Sequence, residues 1–244
     1  MKLIEKLFGC NKVQRPVCSA IVPAAGSSSR MGGENKILMP LDGIPVLART
    51  LLALDAAQLV DEIIVATREQ DILAVAELCK IYGIRKSIKI VRGGESRLES
   101  VLLASLECRD DAAFLAVHDG ARPLADGDFI DNVIRCAHRT NAAAPAVPVK
   151  DTIKIARDGI VESTPDRSTL FAVQTPQVFD AQLLRAALKS AQELGAEVTD
   201  DCSAVERIGK AVYLTDGSYE NIKITTPEDI ALAMAILQRQ EGRR

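Results

Sequence analysis

Residues 19–36 read Ser19-Ala20-Ile21-Val22-Pro23-Ala24-Ala25-Gly26-Ser27-Ser28-Ser29-Arg30-Met31-Gly32-Gly33-Glu34-Asn35-Lys36. A short apolar run, Ser19 to Pro23, has the composition of a buried strand and breaks off into small residues. Small residues let a backbone approach an anion closely, and successive N–H groups at a strand-to-loop turn can donate to phosphate oxygens. Arg30 and Lys36 add positive charge to the same loop. The stretch is neither a G-x-x-x-x-G-K-[ST] loop nor a G-x-G-x-x-G fingerprint, which weighs against P-loop NTPases and dinucleotide-dependent dehydrogenases. The plain alternative is a surface loop with incidental charges. Its place directly after a first α/β strand, where ligands bind in such sheets, favours a phosphate loop.

Outward from this loop, short apolar runs alternate with stretches of helical period, the pattern of βαβ units around a mostly parallel sheet. Strands are expected at Ser19 to Pro23, Glu62 to Thr67, Ile88 to Val91, Phe114 to His118 and Ala144 to Val149. Helices are expected at Val46 to Asp55, opened by Pro45, and at Gln70 to Tyr82, Arg97 to Leu106 and Asp128 to Thr140. After Lys150 the rhythm changes. Thr152 to Ala156 and Ile160 to Thr164 flank Arg157-Asp158-Gly159, and Asp-Gly between alternating segments signals a β-hairpin. The α/β pattern resumes with a strand at Leu170 to Gln174, helices at Asp180 to Leu194 and Ala204 to Arg207, and strands at Val212 to Thr215 and Ile222 to Thr225. A last helix begins at Thr226-Pro227-Glu228-Asp229, with Thr as N-cap and an acid three residues on. The expected fold is α/β: a single Rossmann-like domain, its mostly parallel sheet flanked by helices and interrupted by a protruding hairpin arm over residues 150–170. Residues 1–17 read as an N-terminal extension and 18–244 as the domain.

The 244 residues are 48% hydrophobic and 26% charged, a globular balance, and a domain of this length buries enough surface to need no disulfide or metal staple. A net charge of −3, only 3% aromatic residues and no Trp remove the electrostatic footprint and the stacking platforms of a general nucleic-acid binder. The six cysteines form no C-x-x-C pair and the two histidines cannot build a His-rich metal centre, so reduced, cytoplasmic surroundings are expected. No apolar run approaches the roughly 18 residues of a membrane span. Lys2, Glu5 and Lys6 interrupt the apolar residues at the start, which reads as a short amphipathic helix or an unstructured extension rather than a signal peptide.

Pro23-Ala24-Ala25-Gly26 with Arg30-Met31-Gly32 and Lys36 resembles the signature of nucleotidyltransferases that join a nucleoside triphosphate to a phosphorylated sugar or alcohol. Later motifs narrow the resemblance: Gly93-Gly94-Glu95-Ser96-Arg97 with Ser100, His118-Asp119-Gly120-Ala121-Arg122-Pro123, Val149-Lys150-Asp151-Thr152-Ile153-Lys154, Gln174-Thr175-Pro176-Gln177, Thr199-Asp200-Asp201 and Asn221-Ile222-Lys223-Ile224-Thr225. Together, and in this order, they resemble the 2-C-methyl-D-erythritol 4-phosphate cytidylyltransferases of non-mevalonate isoprenoid biosynthesis. Ribitol-5-phosphate cytidylyltransferases are similar, but their opening loop more often reads Leu-Ala-Gly-Gly and their acceptor strand lacks the pattern at Lys150 to Lys154. A molybdopterin guanylyltransferase would share only the first loop. A catalytically silent nucleotide-binding protein would not be expected to keep Arg30, Lys36, Asp119 and Lys223 together.

The reaction implied by the resemblance is attack of an acceptor phosphate on the α-phosphorus of CTP, with release of pyrophosphate. A phosphate monoester has a second pKa of about 6 and is already mostly a dianion at neutral pH, so no base is needed. The obstacle is the meeting of two anions, which cations and positioning relieve. The resemblance makes Arg30, Lys36 and Lys223 the catalytic cations. It assigns Ala24, Ala25, Gly26, Gly94, Glu95, Ser100 and Asp119 to the nucleotide, and Asp119 also to Mg²⁺. It assigns Arg122, Thr152, Arg167 and Thr175 to the acceptor, the last two across a homodimer whose hairpin arm embraces the second subunit. His118 is expected to be structural, and Thr199 and Asp200 could simply cap a short helix. Ile37-Leu38 and Cys202 depart from the commoner family residues; Cys202 is read as a small buried residue.

Overall fold

A computed structural model describes residues 15–26 and 36–242. Strand β1, Val17–Pro23, forms where five successive residues are buried from both sides. It is followed by the small ladder β2 (Pro40–Leu41) and β3 (Ile44–Pro45), helix α1 (Val46–Ala56) and strand β4 (Glu62–Thr67). A 3-10 turn at Glu69–Asp71 leads into α2 (Ile72–Ile81), then β5 (Ser87–Arg92), α3 (Arg97–Leu106) and β6 (Ala112–Val117). Next come α4 (Gly127–Thr140), β7 (Ala142–Pro148), β8 (Ile155–Arg157), β9 (Ile160–Ser163), β10 (Phe171–Val173) and β11 (Gln177–Asp180). The rest of the chain forms α5 (Ala181–Glu193), α6 (Asp201–Arg207), β12 (Tyr213–Asp216) and α7 (Pro227–Glu241).

Eight strands make one sheet in the order β10-β7-β11-β6-β1-β4-β5, with β12 also on β7. The β5-β4-β1-β6 portion is parallel, and β11 enters antiparallel between β6 and β7. Alternate residues of the parallel strands feed two cores. Ala20, Val22, Ile63, Val65 and Ala116 pack with α1, α2, α4 and α7, whereas Ile21, Ile64, Ala66, Leu115 and Val117 pack with α3, α5 and α6. Burial on both faces explains why these strands are continuous apolar runs. Each fully buried Leu or Ile contributes about 1.5–3 kcal/mol. The chain runs from β1 outward to β4 and β5, then returns through α3 to place β6 on the other side of β1. The carboxyl ends of β1 and β6 therefore border the switch point at which open α/β sheets hold ligands.

The expected α/β architecture is present, with local differences, among them the unforeseen β2/β3 ladder. Ile222 to Thr225 is not a strand. Instead it is tied to the turn after β6: Ile224 N–H donates to Ala121 O at 2.8 Å, and the preceding Asn221 O accepts from the Arg122 guanidinium at 2.7 Å. Gln177–Asp180, not foreseen as a strand, pairs with β6 and β7. The hairpin β8/β9 is a two-stranded sheet of its own, turning through Asp158 and Gly159 at φ of 51° and 79°. Every residue of its two strands is exposed. The expectations for residues 1–14, Arg30 and the Ser27 to Gly33 loop fall outside the described residues.

Candidate active site

At the carboxyl end of β1, the chain turns through Ala24, whose N–H donates to Ala66 O at 2.7 Å. The facing turn after β5 is equally tight. A Cβ on Gly93 would lie 2.7 Å from the Ala25 Cβ and 2.9 Å from Ser100 Oγ, so only glycine permits this approach. Buried Ser100 locks the turn by accepting from Gly94 N–H at 3.0 Å and donating to Ser96 O at 2.8 Å. Ser96 caps α3 by accepting from Glu99 N–H, and Glu99 in return accepts from Glu95 N–H at 2.8 Å. Between these turns lies a cavity of about 560 Å³.

Nine of the residues expected at the site line that cavity: Ala24, Ala25, Gly26, Lys36, Gly94, Glu95, Ser100, Asp119 and Lys223. Arg68 and Arg92, at the ends of β4 and β5, line it as well and were not foreseen.

Asp119, two residues beyond β6, is the electrostatic centre. Its Oδ2 lies 2.9 Å from Lys223 Nζ and 3.5 Å from Arg122 Nε, and its Oδ1 lies 3.6 Å from an Arg97 nitrogen. Burial pushes the Asp119 carboxyl up, but Lys223, Arg97 and Arg122 outweigh it and hold the group well below the usual carboxylate range. Asp119 is therefore an anion at every physiological pH. Lys223 is presented by the segment pinned to Ala121 and Arg122, so both charges of the 2.9 Å pair hang on one turn.

Beneath Asp119 lies a buried relay. Thr175 Oγ1 accepts from Asp119 N–H at 3.1 Å and sits 3.0 Å from His118 Nδ1, while His118 Nε2 faces Arg122 O at 3.4 Å. This pattern assigns the proton of a neutral His118 to Nε2, with the Thr175 hydroxyl donating to Nδ1. Burial and neighbouring Arg122 push His118 down to about 4, against a partial lift from Asp119. His118 is thus structural, as expected.

Thr175 differs from expectation. It is buried inside its own chain with its hydroxyl committed, and supports Asp119 rather than reaching outward. Arg122 stands behind Asp119 rather than in the cavity lining, and Thr152 and Arg167 lie exposed on the arm, with Arg167 donating to Lys150 O at 2.9 Å. Asp200 caps α6, accepting from Ser203 N–H at 2.9 Å. Two participants lacked any assigned role in the sequence. Arg97 joins Asp119 to Asp201 on α6, and buried Asn221 holds the lysine segment by donating to Thr175 O at 3.0 Å.

A divalent cation would find at Asp119 one carboxylate opening on the cavity. Among the described residues, no group of three or more His, Cys, Asp or Glu side chains forms a metal cluster. One carboxylate suits Mg²⁺, which is commonly held by one or two protein carboxylates together with substrate phosphates.

The profile of the family IspD, 2-C-methyl-D-erythritol 4-phosphate cytidylyltransferase, matches residues 18–239. A protein of that name from Desulforamulus reducens is 43% identical over 224 residues, covering 91% of this chain and 96% of the relative. One from Bacillus cytotoxicus is 43% identical over 221 residues, covering 90% and 97%. The crystal structure of 4-diphosphocytidyl-2C-methyl-D-erythritol synthase from Anaerococcus prevotii superposes with a TM-score of 0.83 at 32% identity, covering 91% and 96% of the two chains. The Thermus thermophilus cytidylyltransferase structure gives a TM-score of 0.74 at 30% identity, covering 91% and 99%. A match across nearly the whole chain, on the same fold, places this protein in the 2-C-methyl-D-erythritol 4-phosphate cytidylyltransferase family.

Proposed function

We propose that the chain transfers CMP from CTP to the phosphate of 2-C-methyl-D-erythritol 4-phosphate, forming 4-diphosphocytidyl-2-C-methyl-D-erythritol and pyrophosphate. The observation that carries this reading is the Asp119–Lys223 pair, set at the switch point beside a cavity that Lys36 also lines.

An acceptor phosphate oxygen attacks the α-phosphorus, the bond to the β-phosphate oxygen breaks, and its electron pair leaves on pyrophosphate. Ala24, Ala25 and Gly94 supply close-approaching backbone, with Ser100 fixing the turn and Glu95 at the rim, to seat the base and ribose. Lys36 and Arg30 carry the positive charge for the triphosphate. Lys223, held by Asp119, stands where nucleotide and acceptor meet and offsets the repulsion between the two anions. When bound, Mg²⁺ supplies further charge neutralisation on the phosphate oxygens, and Asp119 is the residue that would hold it. Arg122, with Thr152, serves the acceptor phosphate.

Supporting a homodimer are Ile155, Ile160 and Val161, exposed on an arm that cannot cover them itself. In that dimer, Arg167 reaches the partner's acceptor. Cytoplasmic operation fits the free thiols Cys18, Cys79, Cys108, Cys136 and Cys202. Among the described residues, no helix is long and apolar enough to cross a membrane.

With Mg²⁺ and CTP, the purified protein is expected to release pyrophosphate on addition of 2-C-methyl-D-erythritol 4-phosphate. Lys36→Ala and Lys223→Ala should each lower kcat by about 10²–10³ while the protein remains folded. Turnover with ribitol 5-phosphate alone, or with GTP alone, would overturn the assignment, and near-normal kcat in either variant would remove that lysine from the mechanism.

A further inference from the structure

The two oxygens of Asp119 are unequally engaged. Lys223 and Arg122 both address Oδ2, at 2.9 and 3.5 Å. The described residues give Oδ1 only the 3.6 Å approach of Arg97, too long for a hydrogen bond. The guanidinium nitrogen that makes this approach is held by Asp201, donating to its Oδ2 at 2.7 Å while it stays 3.6 Å from Asp119. Asp201 is 1% exposed, and its own Oδ1 has no hydrogen-bond partner.

A buried carboxylate with one unsatisfied oxygen is a costly way to join α3 to α6. The arrangement does, however, divide one arginine between two carboxylates. If Asp201 carried no charge, Asp119 would be the remaining ion-pair partner of Arg97 among the described residues. A rotation of the guanidinium would then close the 3.6 Å gap and occupy Oδ1 with a charge-assisted hydrogen bond. That oxygen is the one otherwise left for a cation.

We propose that Asp201 is a positioning residue for divalent-cation binding: by tethering Arg97 it keeps Asp119 Oδ1 open to the metal that accompanies CTP. This rests on the nucleotidyltransferase reading above and deepens it. It differs from a purely structural ion pair in one respect. A structural pair would matter for folding alone, whereas a tether makes the loss of Asp201 reparable by also removing Arg97.

The test is Mn²⁺ binding to the full-length protein with CTP and no acceptor, read from the electron paramagnetic resonance signal of free Mn²⁺. Asp201→Asn should weaken Mn²⁺ binding about 10- to 100-fold, the range for residues that orient a metal ligand. The Arg97→Gln/Asp201→Asn double variant should recover most of that affinity, and Asp201→Glu, which keeps the charge, should retain it. Removing both partners is also milder on folding than stranding one, so the double variant serves where Asp201→Asn unfolds. Wild-type affinity in folded Asp201→Asn, or a double variant as weak as a Lys223-intact Asp119→Asn control, would overturn the tether. Failure of the wild type to bind Mn²⁺ with CTP would instead overturn the functional reading beneath it.

Discussion

His118 and Thr175 never face the cavity, yet they fix the backbone from which Asp119 projects. The imidazole is fully buried, and its value of about 4 lies below the ordinary 6.5. With a depressed folded-state value, the unfolded chain binds the extra proton between pH 6.5 and 4, so stability must fall as pH falls through that window. The full shift corresponds to about 3 kcal/mol. Protonation at Nδ1 would also oblige Thr175 to accept from both His118 and Asp119 N–H, and would set a second positive charge beside Arg122. Half-buried His138 is depressed too and adds in the same direction. The informative quantity is therefore the difference between wild type and His118→Asn in urea unfolding at pH 7, 5.5 and 4.5. The wild type should lose more stability over that range, and equal losses would remove His118 from the account. At this scale the sequence was only partly legible. Asp119 and Lys36 stood out as charged residues beside glycine turns, whereas Lys223, with no glycine near it, was located only by the family resemblance. Motifs could not show that Arg97 and Asp201, 104 positions apart, share a hydrogen bond.

Helices and parallel strands were legible because both faces of the sheet are buried, and a buried strand leaves a continuous apolar run. The failures occurred where apolar composition and hydrogen bonding part company. Ile222 to Thr225 has strand-like residues, but its Ile224 N–H, like the C=O of the preceding Asn221, pairs with a turn instead of a ladder. Gln177–Asp180 begins with a polar residue whose side chain reaches away from the sheet. Gln177 donates to Asp200 at 2.8 Å and accepts from Asp201 N–H at 3.0 Å, which ties β11 to the start of α6. The same contacts give Asp200 two tasks, as cap of α6 and as partner of Gln177. Asp200→Ala should therefore cost about 1–2 kcal/mol in denaturant unfolding. Asp200→Ser retains a capping oxygen and should recover roughly half of it. An alanine variant as stable as wild type would show that neither contact bears on α6.

On the scale of the whole molecule, the arm is the part that its own chain does not explain. Among the described residues, β8 and β9 pair only with each other, and their apolar residues Ile155, Ile160 and Val161 find no cover. An isolated two-stranded hairpin is marginal in water, so its persistence calls for a second surface. In a twofold dimer, any residue contributed by the arm to one site is matched by its twin at the other. If Arg167 acts on the partner's acceptor, Arg167→Ala and Lys223→Ala homodimers each have two defective sites. A mixed dimer of the two variants places both mutations in one site and leaves the other intact. Equal mixing with full exchange makes half of the dimers mixed, each with one working site, so activity should return to about one quarter of wild type. If Arg167 acts within its own chain, every site in every mixture contains one defect and no activity returns. Measuring pyrophosphate release before and after subunit exchange separates the two cases, and the absence of recovery in a demonstrated mixed dimer would assign Arg167 to its own subunit.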